Sequence, residues 1–319
     1  MMNRRHLMLA AAAVTAARPS FAQAWPSKQI SLTLPFGPGS GTDTMARLFA
    51  ERLSARTGQT VVVDNRPGGN GTISGAFVAR AAPDGHALAF STNSPFAAAP
   101  ALVKNMPYDP VKDFEPVGLI GFAPFVIIAN PNAPFGNLKE LVAYAKANPG
   151  KLSFGSGNTT GVIAGETLKR LAGIDVLHVP YKSVPPALTD TLSGTLHYMP
   201  ADVGTALAHI KGGRVKAIAS MSSQRSPNLP DLPTLREQGM AFDLDGWYAL
   251  FAPAGTPRPI VERLNTILRE EYSRPEMLQR LLDLNVIPKL GTPQDLAVFQ
   301  KSEIEKWTRL AREAGIQPE

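Results

Sequence analysis

Apolar residues near the start of the chain follow two different periods in succession. Residues 30–36 (ISLTLPF) are almost continuously apolar, which is typical of a buried strand. After a glycine-rich loop at residues 37–42, apolar residues return at helical spacing over residues 43–57. The apolar residues on that helical face are Met45, Leu48, Phe49 and Leu53. The pattern predicts a strand, a loop and a helix, with Thr42 or Asp43 capping the helix.

The same alternation continues along the chain. Further strands are predicted over residues 61–63, 87–91, 152–154, 176–179, 196–199 and 215–220. Helices are predicted over residues 72–81, 138–148, 162–171, 185–192, 205–211, 259–272, 275–283 and 293–314. Because strands alternate with helices, the predicted fold class is α/β with parallel sheets.

Two long apolar stretches interrupt this alternation. Residues 117–130 (VGLIGFAPFVIIAN) are broken by Pro124, and residues 246–253 read GWYALFAP. A chain of 319 residues is natural for two domains. We therefore interpret both stretches as strands that cross between two α/β lobes. The first lobe is predicted to comprise residues 25–124 and 246–319, and the second lobe residues 125–245.

Each predicted lobe contains the same succession of strand, small-residue loop and helix, ISLTLPF-GPGSGTD and KLSF-GSGNTTG. Ligands of open α/β sheets bind at the carboxyl ends of the strands, where both loops lie. The unpaired N–H groups of a first helical turn form an anion site without any cationic side chain. Neutral donors in the loops are Ser40, Thr42, Ser156, Asn158, Thr159 and Thr160. The alternative is that both loops are only tight strand-to-helix turns.

The N-terminus has the features of a secretory signal. Arg4 and Arg5 precede an apolar run at residues 7–17, and Ala22-Gln23-Ala24 offers small residues at the spacing of a signal-peptidase site. The apolar run is too short to span a bilayer. Residues 1–24 are therefore predicted to be a signal peptide for periplasmic export by the Sec route, with the twin arginine as a weak indication of the Tat route.

Removal of that peptide changes the charge of the chain. The formal net charge is +6, from 32 basic and 26 acidic residues. Cleavage takes away Arg4, Arg5 and Arg18 and no acid, which leaves 29 basic side chains and a net charge of +3. The remaining Lys and Arg residues are scattered, so nucleic acid is not an expected partner.

The familiar catalytic and cofactor motifs are missing from the sequence. A dinucleotide fingerprint beginning at Gly37 requires glycine or another small residue at position 42, where this chain has Thr42. Neither loop ends in the Gly-Lys-Ser/Thr triplet of a P-loop. Ser40 and Ser156 lack the flanking glycines of a nucleophile elbow. The chain has no cysteine and its five histidines show no paired ligand spacing. The chain is therefore expected not to be an enzyme and to require neither a metal nor a cofactor.

Other polar residues follow predicted strands and are further candidates. Asp202 lies after the strand predicted to end at residue 199, where it either contacts a ligand hydroxyl, ammonium or water, or caps the next helix. Tyr181 and Lys182 follow another strand and are candidates for the cleft wall. Trp247 and Tyr248 are interpreted as packing residues of the crossing strand.

Ordered sequence segments resemble one known family. The segments WPSKQISLTLPFGPGSGTD, VVVDNRPGGNGT, APDGHAL, MPYDPVKDFEPVGLI, NPGKLSFGSGN, HVPYKS, RSPNLPDLPTLREQG and LFAPAGTPRPIVERLN are similar to those of the substrate-binding proteins of tripartite tricarboxylate transporters, the TctC or Bug type. They span residues 25–265, and the similarity continues more loosely to the C-terminus. The resemblance implies a type II periplasmic-binding-protein fold whose two lobes close on a ligand.

The resemblance also implies which residues bind the ligand. Family members hold a carboxylate largely through backbone N–H groups of the two loops, often with ordered water. By position, the residues implied are Phe36, Gly39, Ser40, Gly41, Thr42, Asp43, Ser156, Gly157, Asn158, Thr159 and Thr160, with Tyr181 and Asp202 as further ligand-side residues. Gly37 and Ser40 replace a frequent Pro and Gly, and Ala201-Asp202 stands where an Asp-Asn pair is common. These departures leave the identity of the carboxylate open.

The function expected from these observations is that of a periplasmic solute-binding protein. A small carboxylate (a di- or tricarboxylate, an amino acid or an aromatic acid) is expected to bind in the interlobe cleft and be delivered to the permease subunits of a tripartite transporter. The protein is expected to be a monomer. The alternatives are an exported hydrolase or lyase that uses the same cleft, and a ligand sensor for a two-component system.

Overall fold

The computed structural model describes residues 25–318, so the predicted signal peptide lies outside the described residues. The strands are β1 (Ile30–Leu34), β2 (Val61–Asn65), β3 (Ala87–Thr92), β4 (Phe114–Ala123), β5 (Phe125–Ala129), β6 (Leu152–Ser156), β7 (Val176–Pro180), β8 (Tyr198–Asp202), β9 (Lys216–Ser220), β10 (Gly246–Pro253) and β11 (Ile287–Pro288).

Ten α-helices accompany these strands in the described part of the chain. They are α1 (Gly41–Thr57), α2 (Thr72–Ala79), α3 (Ala99–Leu102), α4 (Leu138–Ala147), α5 (Thr159–Ala172), α6 (Val184–Ser193), α7 (Val203–Lys211), α8 (Arg258–Tyr272), α9 (Pro275–Asp283) and α10 (Pro293–Glu313). A π-helix, Ser94–Ala98, precedes α3. None of the helices within residues 25–318 is long and apolar enough to cross a membrane.

The strands form two sheets. The first sheet has the order β11-β4-β10-β3-β1-β2, and the second has the order β7-β6-β8-β5-β9. Strands β1, β2 and β3 pair in parallel, whereas β10 is antiparallel to both β3 and β4. In the second sheet β6 is parallel to β7 and β8, and β5 is antiparallel to β8 and β9. Both sheets therefore mix parallel and antiparallel strands.

The single strand predicted over residues 117–130 is two strands in the structure. β4 belongs to the first sheet and β5 to the second, and Pro124 lies between them. Proline has no N–H for a ladder, which explains the break. The carbonyl of Pro124 instead accepts a hydrogen bond of 2.9 Å from the N–H of Val203. The second connection, residues 221–245, runs from β9 to β10, so β10 itself lies wholly within the first sheet.

The apolar residues of the strands form three buried clusters. One cluster fills the space between the first sheet and α1, α8 and α9, and includes Leu32, Phe49 and Leu264. A second packs β5 and β8 against α6 and α7. The third is continuous across both sheets: it contains Phe251 of the first sheet and Phe154 of the second. The two sheets are therefore joined by packing on one side and separated by a cleft on the other.

Several predicted boundaries were wrong by a few residues. Helix α1 begins two residues earlier than predicted, α5 three residues earlier and α7 two residues earlier. Strand β8 covers Tyr198–Asp202 instead of residues 196–199, because the N–H of Leu196 still bonds to the carbonyl of Asp190 in the turn after α6. Neither the helical segment at residues 94–102 nor the short strand β11 was predicted.

Candidate functional site

The loop between β1 and α1 is held by a cap that the sequence did not single out. Ser40, not Thr42 or Asp43, is the N-cap: its backbone is extended and its Oγ accepts a hydrogen bond from the N–H of Asp43 at 3.2 Å. Gly39 has a φ of 79°, which favours glycine. The first turn of α1 therefore begins at Gly41 and directs its unpaired N–H groups toward the cleft.

Asp43 stabilises this loop through hydrogen bonds to its carboxylate. Its carboxylate, in a residue only 5% exposed, accepts from Arg47 Nε at 3.0 Å, from Asn65 Nδ2 at 3.0 Å and from the N–H of Gly39 at 3.1 Å. Burial alone would raise the pKa of Asp43, but these hydrogen bonds outweigh burial and lower the pKa below its ordinary value. Asp43 is therefore an ionised internal support of the loop.

The loop between β6 and α5 repeats this arrangement. Asn158 is the N-cap and its side-chain oxygen accepts from the N–H of Gly161 at 2.8 Å. Thr159 and Thr160, predicted to be loop residues, lie in the first turn of α5. The Ser156 hydroxyl turns toward the neighbouring strand, where it lies 2.6 Å from Nε2 of His178. Two capped helix N-termini therefore face the cleft, one from each sheet.

Between the two helix N-termini lies a small cavity of about 20 Å³ that is open to solvent. Its lining residues are Phe36, Ser40, Gly41, Thr42, Thr92, Asn93, Ala123, Phe125, Asn158, Thr160, Val184, Asp202, Gly246, Trp247 and Tyr248. None of these residues is a lysine, an arginine or a histidine. The lining combines neutral hydrogen-bonding groups with apolar walls and a single carboxylate, which suits a small polar molecule.

Direct hydrogen bonds join the two sides of the cleft around this cavity. Asn93 Nδ2 donates to Thr160 Oγ1 at 2.8 Å, and Thr159 Oγ1 donates to Ser94 Oγ at 2.8 Å. The N–H of Gly37 donates to Ser183 Oγ at 3.2 Å. Each bond joins the first sheet's side to the second sheet's side, so the structure is a closed arrangement of the two lobes.

Asp202 and Tyr248 lie against the first loop at the inner end of the cavity. Asp202 is 6% exposed and is the N-cap of α7; its Oδ1 accepts from the N–H and Oγ1 of Thr205, each at 2.8 Å. A Cβ atom at Gly41 would lie 2.6 Å from Asp202 Oδ1 and 2.8 Å from the Tyr248 hydroxyl. Only glycine at position 41 permits this close approach.

The surroundings of Asp202 and Tyr248 shift both pKa values upward. Burial raises the pKa of Asp202, and the hydrogen bonds from Thr205 only partly oppose that effect. Burial also raises the pKa of Tyr248, and the nearby Asp202 carboxylate adds to the rise. The tyrosine is therefore a neutral hydroxyl at the cavity wall.

A second, more open cavity adjoins the first and shares Phe36 and Asn158 with it. It is lined by Phe36, Gly68, Gly69, Asn70, Gly71, Gly157, Asn158, Pro180, Tyr181 and Lys182. The Tyr181 hydroxyl donates to Asp190 Oδ2 at 2.5 Å. Burial, followed by this hydrogen bond to a carboxylate, raises the pKa of Tyr181 to about 12. Phe36 and Asn158 therefore separate the inner cavity from this outer one.

The predicted site residues are distributed unevenly around these cavities. Those that line the inner cavity are Phe36, Ser40, Gly41, Thr42, Asn158, Thr160 and Asp202, and Gly157 and Tyr181 line the outer one. Asp43, Ser156 and Thr159 line neither cavity and instead hold the loops in place. Gly39 lines a separate depression beside Met45 and Leu284.

Sequence reasoning missed part of the lining. Thr92 is the last residue of β3 and Asn93 follows it, on the same sheet edge as the first loop, so the rule used for the loops would also have found them. Trp247 and Tyr248 were interpreted only as packing residues, yet both also face the cavity. Among residues 25–318, no group of three or more His, Cys, Asp or Glu residues is placed to hold a metal ion.

Comparison with known proteins places this geometry in context. Residues 45–316 match the model of the tripartite tricarboxylate transporter family receptor. The BugT protein of Bordetella pertussis is 34% identical over 304 residues, which cover 94% of this chain and 93% of BugT.

Two solved structures are also similar over most of their length. An R. palustris protein in complex with adipate is 32% identical, with a TM-score of 0.90 over 92% of this chain and 100% of its own. MatC from Rhodopseudomonas palustris with bound malate is also 32% identical, with a TM-score of 0.85 over 90% of this chain and 99% of its own. The expected two-lobed periplasmic-binding fold is confirmed by these similarities.

Proposed function

The chain belongs to the tripartite tricarboxylate transporter receptor family, the TctC or Bug type, and we propose that it captures the carboxylate of a small organic acid between its two lobes. The observation that carries this proposal is the inner cavity, where the first turns of α1 and α5 face each other. Oriented N–H groups and helix dipoles favour an anion at that position, although the lining contains no cationic side chain.

The two similar structures support the same class of ligand. One contains adipate and the other malate, and both ligands are small dicarboxylates. In this chain, Ser40 and Asn158 cap the two helices, so their side chains fix the loops that present the backbone N–H groups. Thr42 and Thr160 add hydroxyl groups at the cavity wall. Capture of the acid would stabilise the closed arrangement that the bonds across the cleft already define.

The remaining parts of the proposal concern the setting of the protein. The family is described as a receptor family. We propose that this chain is located in the periplasm after a signal peptidase has cleaved the chain after Ala24. It delivers its acid, without chemical conversion, to the membrane permease of a tripartite transporter. Residues 25–124 with 246–319, and residues 125–245, are the two bodies that close around the ligand.

A binding screen followed by one matched pair of variants tests the proposal. Thermal shift of the mature protein against mono-, di- and tricarboxylates, amino acids and aromatic acids identifies a ligand, because a ligand of the folded state raises its melting temperature. Thr42→Val removes a buried hydroxyl from the cavity wall, whereas Thr44→Val alters an exposed threonine of the same helix. Calorimetry should show about tenfold weaker binding for Thr42→Val, as expected for one lost hydrogen bond to a charged group.

Two results would contradict the proposal. One is a screen in which no organic acid shifts the melting temperature of the wild-type protein. The other is equal affinity in Thr42→Val and Thr44→Val, which would place the acid elsewhere. Chromatography of the ligand after incubation with the purified protein tests the absence of conversion: the acid should be recovered unchanged.

A further inference from the structure

One carboxyl side chain in the inner cavity, that of Asp202, has no cationic partner among the lining residues. The two hydrogen bonds that Asp202 accepts from other residues both end on Oδ1, which leaves Oδ2 without a donor from another residue in the described part of the chain. Asp202 also lines the cavity, and no lysine, arginine or histidine does so. The neighbouring Tyr248 hydroxyl offers one neutral donor. An ionised Asp202 would therefore face the ligand with its charge unbalanced.

This arrangement is unfavourable for a simple carboxylate ligand. A ligand carboxylate held by the helix N-termini of α1 and α5 would lie in the same small cavity as the Asp202 carboxylate. Two like charges in a partly desolvated site repel each other strongly. A ligand with a cationic group beside its carboxylate would instead balance both charges, because the ammonium could bind Oδ2 of Asp202.

We propose that Asp202 is a specificity-determining residue that binds the α-ammonium group of the ligand, so that the preferred ligand is a zwitterionic α-amino acid. This inference rests on the proposed function, since it assigns the other end of the same bound molecule. The α-carboxylate lies between the first turns of α1 and α5, and the α-ammonium points toward Asp202 and Tyr248. The side chain of the amino acid extends into the outer cavity toward Tyr181 and Lys182.

The test compares acids that share a carbon skeleton with and without the ammonium group. The pairs are aspartate with succinate, glutamate with glutarate, and alanine with propionate, measured by calorimetry near neutral pH. The wild-type protein should bind the amino member of at least one pair a hundredfold or more tightly than its partner. In Asp202→Asn this preference should fall below tenfold, through weaker binding of the amino acid and tighter binding of the plain acid.

The substitution is chosen so that folding is preserved. Asparagine caps helices as well as aspartate does, so Asp202→Asn keeps the acceptor for Thr205 and loses only the charge. Asp202→Ser provides a second variant that also keeps a capping oxygen but is too short to reach the cavity. Both variants should show wild-type circular dichroism, and both should lose the preference for the amino member.

The outcomes separate this inference from the proposed function. If no acid of any pair or of the wider screen binds the wild-type protein, the proposed function fails. If acids bind but the plain member of every pair binds as tightly as the amino member, the function stands and the inference fails. Equal loss of affinity for both members of a pair in Asp202→Asn would also overturn the inference, because such a loss would indicate that Asp202 has a general role in closing the cleft.

Discussion

Two buried aspartates on opposite sides of the cleft both lie at the start of a helix but have opposite surroundings. Asp43 lies in the first turn of α1 and Asp202 is the N-cap of α7, and their exposures are 5% and 6%. Asp43 accepts hydrogen bonds from a guanidinium, an amide and a backbone N–H, whereas Asp202 accepts from Thr205 alone among other residues. Accordingly, the pKa of Asp43 is lowered and that of Asp202 is raised.

The difference shows that the partners of a carboxylate, and not its position on a helix, decide its role. The partners of Asp43 occupy both of its oxygens, so it has nothing left to offer a ligand and serves to hold the loop. Asp202 retains an oxygen without a donor from another residue and lines the cavity. A carboxylate that holds a loop can therefore be distinguished from one that contacts a ligand by the number of hydrogen-bond donors that the protein supplies to its oxygens. Each role predicts a different response to mutation.

The largest expected effect is the loss of stability in Asp43→Ala. Removing this carboxylate takes an acceptor away from Arg47, Asn65 and the N–H of Gly39, although Asn65 still donates to the carbonyl of Phe36. We expect the free energy of unfolding to decrease by about 3 kcal/mol. This value is at the lower end of the range for a broken buried ion pair, because Arg47 is about half exposed and can be hydrated. Urea unfolding measures this decrease. Asp202→Asn is the matched control, expected to lose less than about 1 kcal/mol; equal losses in both variants would remove the distinction.

The second prediction tests the close approach between the first loop and Asp202. In Gly41→Ala the new methyl group would lie 2.6 Å from Asp202 Oδ1 and 2.8 Å from the Tyr248 hydroxyl, so the lobes cannot close fully. Affinity for the identified acid should fall about a hundredfold, equivalent to about 2.7 kcal/mol. Gly37→Ala is the control in the same loop, since its methyl group would meet Ser183 at an ordinary 3.5 Å. Unchanged affinity in Gly41→Ala would contradict the closed geometry.

Sequence periodicity was sufficient to place the two loops but not to identify their caps. The strand before each loop and the helix after it follow from apolar spacing, which is a local property. Ser40 and Asn158 are the caps because their backbones are extended and each side chain accepts a hydrogen bond from the N–H three residues later in the chain. Several loop residues can satisfy that pattern, so the sequence alone left the helix starts uncertain by two or three residues.

The partner sets of the aspartates were beyond sequence reasoning for a different reason. Asn65 meets Asp43 across 22 positions, and Tyr248 meets Gly41 through the pairing of β10 in the first sheet. Such contacts depend on which strands become neighbours. Asp43 became a ligand candidate through the family resemblance and Asp202 through its place after a predicted strand, and only the folded arrangement separated their roles.

A third carboxylate, Asp245, extends the comparison to the connection between the lobes. It lies next to β10, is partly buried and accepts a hydrogen bond from the Ser222 hydroxyl. Burial raises its pKa to about 6; Ser222 and Lys306 oppose this rise, and Asp243 and Glu303 add to it. The folded protein therefore binds this proton more tightly than the unfolded chain does, for which the pKa is about 3.9.

This shift predicts how stability changes with pH. Because the pKa is raised in the folded state, the contribution of Asp245 to stability should decrease as the pH rises from about 4 to about 6 and then remain level, a loss of about 3 kcal/mol at most. Asp245→Asn keeps an acceptor for Ser222 and should remove that part of the slope in urea unfolding between pH 4 and 7. Asp231→Asn, at an exposed position of the same connection, is the control; an unchanged slope in Asp245→Asn would contradict the assignment.

The smallest expected effect concerns Ser183, which bonds across the cleft opposite the first loop. Ser183 is the N-cap of α6 but makes no side-chain cap; its Oγ instead accepts from the N–H of Gly37 at 3.2 Å. Ser183→Ala should therefore leave the stability of α6 almost unchanged and weaken only the closed form. A neutral hydrogen bond of this kind contributes about 1 kcal/mol, so ligand affinity should fall about fivefold.

The control for Ser183 lies at the other end of the same helix. Ser193 is exposed and its hydroxyl donates to the carbonyl of Asp190, so Ser193→Ala makes the same chemical change without touching the cleft. Small-angle scattering should show a larger radius of gyration for ligand-free Ser183→Ala than for Ser193→Ala, because only the first loses a contact that holds the lobes together. If the two variants have the same radius and the same affinity, the bond between Gly37 and Ser183 does not contribute to closure, and closure then depends on Asn93, Ser94 and their threonine partners on α5.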